Sequence, residues 1–228
     1  MAQVTWDAQC SATGTGKASS ANLDHVANVR VLVGVVSLGT VAPRSVTVGG
    51  VSMNCIASVP NAYYTCYLYG LYVSAAGIDT VTVTYKASTR HAWVCASFVN
   101  GDSGSSFYEG MLTDIGSGTS PLTSSLSVVA GTTGRLIIGV TAFGTQDYSA
   151  TTITIAPGNG ETERSEADLA GTISFCAISV HLEEYDSDGA HDVKSIGTDD
   201  TLGLRWMGHA FALKPSAAPT STNFFLVF

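Results

Sequence analysis

The stretch DTVTVTYK, residues 79 to 86, decides the fold class of this chain. Its apolar and hydroxyl side chains alternate strictly, with Val81, Val83 and Tyr85 set against Thr80, Thr82 and Thr84. A period of two places successive side chains on opposite faces of a β-strand. The stretch therefore predicts a half-buried antiparallel strand with one apolar face and one threonine face in water.

The same alternation recurs along the whole chain, whereas helical periodicity is nearly absent. It predicts strands near residues 3 to 9, 28 to 38, 45 to 58, 63 to 73, 79 to 86, 91 to 99, 122 to 129, 134 to 143, 151 to 156, 169 to 182 and 201 to 214. No internal repeat of fixed period is apparent. Short strands separated by turn residues predict an all-β, antiparallel β-sandwich that is jelly-roll-like.

Three of the predicted strands are apolar on both faces. They are VRVLVGVV at 29 to 36, RLIIGV at 135 to 140 and GTISFCAISV at 171 to 180. A strand with no polar face needs cover on both sides. We therefore expect these strands to be central in their sheets or covered on both sides.

Polar residues concentrate in four long segments that the pattern predicts to be loops. These segments are residues 10 to 22, 100 to 110, 157 to 168 and 183 to 200. Loops of this length in a compact domain are usually functional or mobile. They are therefore the first places to search for chemistry.

The charge balance and the lack of a long apolar run disfavour two classes of partner. The formal net charge is -8, with only 10 Lys and Arg and no basic cluster, so the chain has little to neutralise a phosphate backbone. No signal peptide is apparent at the first residues, and no apolar run approaches the ~18 residues of a membrane helix. We expect neither nucleic acid nor membrane as a partner, and synthesis in the cytoplasm.

The five cysteines have irregular spacing and include no CxxC pair. This pattern favours reduced thiols and indicates no zinc site. One alternative stays open. If residues 59 to 62 make a tight turn, Cys55 and Cys66 fall opposite each other, and an oxidising setting would allow them to bond.

No constellation of catalytic residues emerges from the loops. GDSGSS at 101 to 106 resembles the nucleophile segment of chymotrypsin-like proteases, but it lies before the midpoint and no suitable histidine segment precedes it. The acidic segment 183 to 192 offers enough oxygens for calcium but not the spacing of an EF-hand loop, so a solvated loop is the alternative. We expect no enzyme, no cofactor and no assigned metal site.

The segment YYTCYLYGLY, residues 63 to 72, carries five tyrosines. Alternation places Tyr63, Tyr67 and Tyr69 on one face and Tyr64 and Tyr72 on the other. Tyrosine combines a large rigid area with a polar tip. The first three are candidates for a subunit interface, and aromatic packing within the sheet or stacking on a sugar are the alternatives.

The chain closes with the strand-like RWMGHAFALKP, residues 205 to 215, a polar spacer and an apolar run. The predicted domain boundaries are 1 to 215 for a single sandwich and 216 to 228 for an extended C-terminal arm. The arm residues Phe224, Phe225, Leu226, Val227 and Phe228 are further interface candidates. The run is expected to fold back on its own sandwich or to add a strand to a neighbouring subunit.

Five motifs in order carry a resemblance to a known family. They are DHVANVRVLVGVVS at 24 to 37, SVTVGGVSM at 45 to 53, GIDTVTVTYK at 77 to 86, CASFVNG at 95 to 101 and WMGHAFALKP at 206 to 215. This order resembles the jelly-roll-like β-sandwich domains of phage structural proteins and some bacterial surface proteins. The resemblance implies a structural or binding role and brings no catalytic residues.

Together these features predict a non-enzymatic virion protein, either a capsid decoration protein or a minor head or tail protein. It is expected to form homo-oligomers, to bind the major capsid protein or another virion protein, and to reside in the virion after assembly in the host cytoplasm. The alternative is a carbohydrate-binding or receptor-recognition module that uses the tyrosine segment.

Overall fold

The computed structural model describes residues 3–39, 41–61, 63–119, 121–130, 135–145, 154–157, 162–169, 176–184, 189–198 and 204–216. All regular elements in these ranges are β-strands, and their pairings are antiparallel. None of the described residues forms a helix that is long and apolar enough to cross a membrane. The all-β class and the antiparallel sandwich are confirmed.

The N-terminal half of the chain, Thr5 to Val99, contains nine strands. They are β1 Thr5–Gly14, β2 Ala18–His25, β3 Val29–Leu38, β4 Ser45–Val48, β5 Val51–Ser52, β6 Asn54–Pro60, β7 Tyr64–Val73, β8 Gly77–Thr84 and β9 His91–Val99. Two sheets result, an inner N sheet of order β1-β9-β3-β7-β6 and an outer N sheet of order β2-β8-β4-β5.

The C-terminal half, Tyr108 to Leu213, contains eight described strands. They are β10 Tyr108–Gly118, β11 Leu122–Ala130, β12 Leu136–Thr145, β13 Thr154–Pro157, β14 Thr162–Leu169, β15 Cys176–Glu184, β16 Gly189–Thr198 and β17 Leu204–Leu213. They form an inner C sheet of order β10-β17-β12-β15-β14 and an outer C sheet of order β11-β16-β13.

The two halves repeat one strand order. In the inner N sheet the first strand β1 pairs with the last strand β9, which pairs with the third strand β3, and β7 and β6 follow. In the inner C sheet the first strand β10 pairs with the last strand β17, which pairs with the third strand β12, and β15 and β14 follow. In each outer sheet the second strand pairs with the penultimate strand, which pairs with the fourth. The sequence shows no fixed period, so this repeat of topology emerges only from the structure.

The four sheets stack as layers, with three apolar cores between them. Val31, Val81 and Val83 belong to the core between the outer and inner N sheets. The central core joins the two inner sheets, and Phe98 and Phe211 are buried in it. A third core lies between the inner and outer C sheets. Both inner sheets are therefore covered on both faces.

An approximate two-fold relation connects the halves. Along one side of the stack β1 lies against β14, and along the other side β10 lies against β6. By strand order β1 corresponds to β10 and β6 to β14, so exchanging the halves reproduces both contacts. This is the arrangement of an isologous interface between two copies, here within one chain.

Two strands predicted to need cover on both faces receive it. β3 lies at the centre of the inner N sheet, and its residues from Val29 to Ser37 are all buried. β12 is the central strand of the inner C sheet, and its residues 136 to 144 are buried. DTVTVTYK also behaves as predicted, because Val81 and Val83 are 0% exposed in β8 while the threonine face is partly open to water.

The prediction of four long loops is wrong in part. β1 continues to Gly14 in the inner N sheet and β2 begins at Ala18 in the outer N sheet, so most of segment 10 to 22 belongs to two strands joined by a short turn. β14 and β16 occupy parts of 157 to 168 and 183 to 200. A fourth unpredicted strand, β10, begins within segment 100 to 110. β2, β14 and β16 carry mainly polar side chains, and they form strands by pairing with their neighbours.

The predicted strand 45 to 58 is three strands. Gly49 and Gly50 have φ values of 56° and 80° and turn the chain between β4 and β5. A left-handed conformation at two successive positions is the geometry of a tight hairpin turn, and glycine adopts it without strain. β6 then leaves the outer sheet and joins the inner N sheet.

The expectation that Cys55 could lie opposite Cys66 is wrong. Cys55 pairs with Tyr69, and Val59 pairs with Cys66. The hairpin closes farther along the chain than assumed, because the Asn61 side chain accepts hydrogen bonds from the backbone of Tyr63 and Tyr64. Both cysteines are free thiols.

The connection between the halves, residues 100 to 107, is fixed by the end of β17. Asp102 donates its backbone N–H to the Lys214 carbonyl, and Lys214 donates to the Phe107 carbonyl. Pro215 forms an isolated bridge with Gly101. Residues 217 to 228, which contain the apolar run, lie outside the described residues, so the predicted arm and domain boundaries stay predictions.

Candidate functional site

The tyrosine segment lies mostly inside the molecule. Tyr67 and Tyr69 are each 7% exposed and pack in the core between the inner and outer N sheets. Tyr64 faces the central core instead, so the predicted alternation of faces holds for these three. Burial raises the pKa of Tyr67 and of Tyr69. Aromatic packing within the fold accounts for these side chains.

Tyr63 differs from Tyr67 and Tyr69 because its side chain reaches the surface. It is 37% exposed, and the guanidinium carbon of Arg205 lies 5.1 Å from its ring centroid. Tyr63 precedes β7 and Arg205 belongs to β17, so this cation–π contact joins the two halves at the surface. The remaining candidates, Phe224 to Phe228, lie outside the described residues.

A buried hydrogen-bond chain ties the outer N sheet to the inner N sheet. The Ser19 hydroxyl lies 2.7 Å from Nε2 of His91 and accepts a hydrogen bond from Nε1 of Trp93, also at 2.7 Å. Nδ1 of His91 lies 3.1 Å from the Thr89 carbonyl. A neutral imidazole with its proton on Nδ1 satisfies every contact, and burial lowers the His91 pKa accordingly.

The contact between Ser19 and His91 resembles the Ser–His contact of hydrolases, but the packing around it supports a structural role. A nucleophile needs room for a carbonyl carbon beside its oxygen. Here His91 is 0% exposed, and a Cβ at Gly14 would lie 2.8 Å from its ring, so β1 covers the imidazole. We assign the Ser19 and His91 pair to sheet-to-sheet cohesion.

His209 connects the two halves through the central core. Its Nε2 donates to the Cys66 carbonyl of β7 at 3.2 Å, and the residue is 0% exposed. Burial lowers its pKa to about 4. Its Nδ1 has no hydrogen-bond partner among the described residues, so protonation would bury an N–H without an acceptor.

The depressed pKa of His209 predicts loss of stability in acid. Between its unfolded value of 6.5 and about 4 the unfolded chain binds a proton that native His209 does not. Stability is therefore full above pH 6.5 and falls as the pH drops, by about 2 to 3 kcal/mol for this group by pH 4.5. Urea unfolding of wild type and His209→Gln at pH 7 and 4.5 measures it. An equally steep decline in the variant would contradict the assignment.

The GDSGSS segment forms a turn around a buried arginine. Gly104 donates its N–H to Oδ1 of Asp102 at 2.9 Å, which closes the turn. Arg30 of β3 donates from Nε and Nη2 to the Asp102 carbonyl, and from Nη2 to the Gly104 carbonyl at 3.0 Å. Arg30 thereby holds the connection between the halves.

Arg30 also lines a cavity, which we call the Arg30 cavity. It has a volume of about 210 Å³, and its lining residues are Arg30, Asn54, Cys55, Ile56, Gly70, Ser105, Phe107 and Tyr108. They come from β3, β6, β7, the connection and the start of β10, so both halves contribute. A Cβ at Gly70 would lie 2.6 Å from Ile56 and 2.9 Å from Phe107, so a larger residue there would force these side chains to shift.

The electrostatics of the Arg30 cavity are dominated by one cation. Arg30 is 4% exposed, and its guanidinium carbon lies 3.9 Å from the Phe107 ring centroid and 5.6 Å from that of Tyr72. Burial lowers its pKa to about 10, although the nearby Asp102 charge acts in the opposite direction. Sequence reasoning missed this residue, because Arg30 sits in a strand whose other residues are almost all apolar.

A second cavity, of about 300 Å³, lies where β7 ends and β8 begins. Tyr72, Ser74 and Asp79 line it together with apolar residues. The Asp79 carboxylate is already bound, because its Oδ2 lies 3.1 Å from Nε2 of buried His25. A Cβ at Gly49 would lie 2.6 Å from its Oδ1, so the backbone of Gly49 approaches the carboxylate closely.

β10 forms an exposed edge of the inner C sheet. Over the described part of the chain β10 pairs with β17 alone, so its outer side has no strand partner. Residues 112 to 115 are exposed, and they include the large apolar side chains Leu112 (37%) and Ile115 (47%). Asp114 is the charged residue of this stretch.

Among the described residues, no cluster of three or more His, Cys, Asp or Glu side chains could hold a metal ion. The side chains of acidic segment 183 to 192 lie outside the described residues, so the calcium alternative stays open.

No known family model matches this chain, and neither does a curated protein or a solved structure. The resemblance to phage structural domains therefore stays a prediction. The candidate sites must be judged on their own geometry.

Proposed function

We propose that this chain is a non-enzymatic structural protein of a virus particle, which self-associates and binds the particle surface as a capsid decoration protein or a minor head or tail protein. The observation that carries the proposal is the exposed edge of β10 with Leu112 and Ile115. A long strand edge with unpaired backbone groups and apolar side chains is a template for a further strand.

Strand connectivity supports the same proposal. When the edge strand β6 is left out, the N-terminal half has one sheet of order β1-β9-β3-β7 and another of order β2-β8-β4-β5. If the eight remaining strands are counted along the chain, these orders are first, eighth, third and sixth, and second, seventh, fourth and fifth. This strand order supports the proposal of a jelly roll, and the described strands of the C-terminal half have the corresponding order. Jelly rolls are common in viral capsid proteins, although lectins use them too.

The buried tyrosines favour the structural function over sugar recognition. A sugar-binding row needs ring faces that a pyranose can reach. Tyr67 and Tyr69 are covered by the outer N sheet, so the surface that motivated a carbohydrate-binding module is occupied by the protein itself.

The proposal predicts that positive charges on the β10 edge weaken association. Leu112→Lys with Ile115→Lys should weaken self-association and co-sedimentation with heads or tails of the source virus at least about tenfold, because a lysine edge opposes strand addition. Val51→Lys, at a site 58% exposed in β5, is the matched control.

Light scattering and co-sedimentation measure both properties, and circular dichroism checks that the β-fold persists. A wild-type chain that is monomeric and binds no particle component would overturn the proposal. Wild-type association by the double lysine variant would remove the β10 edge as its basis.

A further inference from the structure

We infer that the Arg30 cavity binds a small monocarboxylate with a short apolar body, whose carboxylate accepts hydrogen bonds from Nη1 of Arg30. Neither the proposed virion role nor the β10 edge requires this site. The inference rests on the state of the guanidinium, the chemistry of the walls and the size of the cavity.

The Arg30 charge is incompletely compensated by the protein. Its recorded hydrogen bonds go to the backbone carbonyl oxygens of Asp102 and Gly104, and among the described residues no carboxylate accepts one from it. The Asp102 carboxylate is engaged with the Gly104 N–H. Burial lowers the Arg30 pKa more than Asp102 raises it. A buried cation in this state gains from a bound anion.

Nη1 is the part of the Arg30 guanidinium that remains to bind the carboxylate. Nε and Nη2 are engaged with carbonyl oxygens, whereas Nη1 makes no hydrogen bond to any residue that the structure describes. Arg30 lines the cavity, and we place the two remaining N–H groups of Nη1 at this wall.

The walls select a carboxylate with an apolar body. Arg30 is the only Lys or Arg among the lining residues, so a monoanion matches this single cation better than a phosphate dianion does. Phe107 and Ile56 supply apolar surface, and the Asn54 amide adds a polar partner. A few placed polar groups among apolar walls are typical of small-molecule sites.

The cavity volume bounds the ligand. About 210 Å³ is below the roughly 300 to 1,000 Å³ of pockets that hold drug-sized molecules. It equals about seven waters at ~30 Å³ each. An acid the size of phenylacetate is the appropriate probe.

The test compares phenylacetate, its neutral isostere phenylacetamide and inorganic phosphate by ligand-observed NMR and calorimetry on the full chain. Phenylacetate is expected to bind with a Kd of about 10 mM or tighter and at least about tenfold more tightly than phenylacetamide. Equal binding of acid and amide, phosphate binding without phenylacetate binding, or no phenylacetate binding would each overturn the inference.

Variants locate the binding. Arg30→Gln should abolish phenylacetate binding, with exposed Arg44→Gln as the matched control. Because Arg30 also holds the connection, Asn54→Trp provides a second test that keeps the guanidinium and fills the cavity from an exposed strand position. Asn22→Trp, at an exposed position of β2, is its control. Wild-type affinity in folded Asn54→Trp or Arg30→Gln would place the ligand elsewhere and overturn the inference.

Discussion

Phe211→Ala is expected to lower the free energy of unfolding by about 3 to 5 kcal/mol, the range for large buried aromatic side chains. Phe211 is 0% exposed in the central core and packs edge to face with Tyr108, with ring centroids 5.9 Å apart. Phe98→Ala, in the corresponding strand of the other half, should have a similar effect. Urea unfolding followed by tryptophan fluorescence measures both.

The same experiment tests whether the halves form one cooperative unit. Because the central core joins both inner sheets, each variant should show one transition at a lower urea midpoint. Val129→Ala, at a site 63% exposed, should change little. Separate transitions, with the N-terminal half unaffected by Phe211→Ala, would contradict a shared core.

Mild oxidation is expected to join Cys10 to Cys95. These residues are direct partners in the β1 and β9 ladder. Facing Cα atoms in antiparallel strands lie about 4.5 or 5.5 Å apart, and both values fall within the ~4.4 to 6.8 Å range of disulfides. The thiols interact, since a hydrogen bond with Cys95 lowers the Cys10 pKa, while burial raises that of Cys95. Cys10 therefore supplies the attacking thiolate.

Oxidised glutathione is a suitable oxidant, because each protein disulfide formed releases two molecules of glutathione. The link closes a loop of roughly 85 residues, worth about 4.5 kcal/mol on the chain-entropy estimate. An increase in Tm of roughly 10 °C should follow.

Peptide mapping under non-reducing conditions identifies the link, and calorimetry of the oxidised and reduced forms gives the Tm. Cys55→Ser is the control that should still form the link, whereas Cys10→Ser should lose both the link and the Tm gain. A map in which Cys95 stays reduced while Cys55 is modified would contradict this pairing.

The strands that sequence predicts best are those with apolar residues on both faces or with strict alternation. β9 is predicted at 91 to 99 and observed at His91–Val99, and β3 agrees within one residue. Their own composition determines their burial. β2 and β14 are different, because Ala18–His25 and Thr162–Leu169 carry mainly polar side chains and form strands through their neighbours.

The repeat of the two halves is nearly invisible in sequence for a physical reason. A strand position constrains which face a side chain occupies and how large it is, but rarely its identity. The clearest trace is in the closing strands, where Trp93 and Phe98 correspond to Trp206 and Phe211 at the same spacing. Each tryptophan faces its outer sheet and each phenylalanine faces the central core.

The Arg30 cavity could not be predicted because its parts are far apart in sequence. GDSGSS resembles a protease segment in sequence, whereas its contribution to the structure is two backbone carbonyl oxygens that accept hydrogen bonds from Arg30. A backbone acceptor leaves no signature in residue type. The connection, β6 and β10 meet at this point only because the two inner sheets pack face to face.

Because both halves belong to one chain, their face-to-face packing does not depend on the protein concentration. Two separate sandwiches joined through such a surface would part on dilution, as any dimer does. Here residues 100 to 107 tether them, and a short tether holds its partners at an effective concentration of order millimolar. Each molecule thus keeps its paired form however dilute it becomes, which leaves its outer edges for contacts with other molecules.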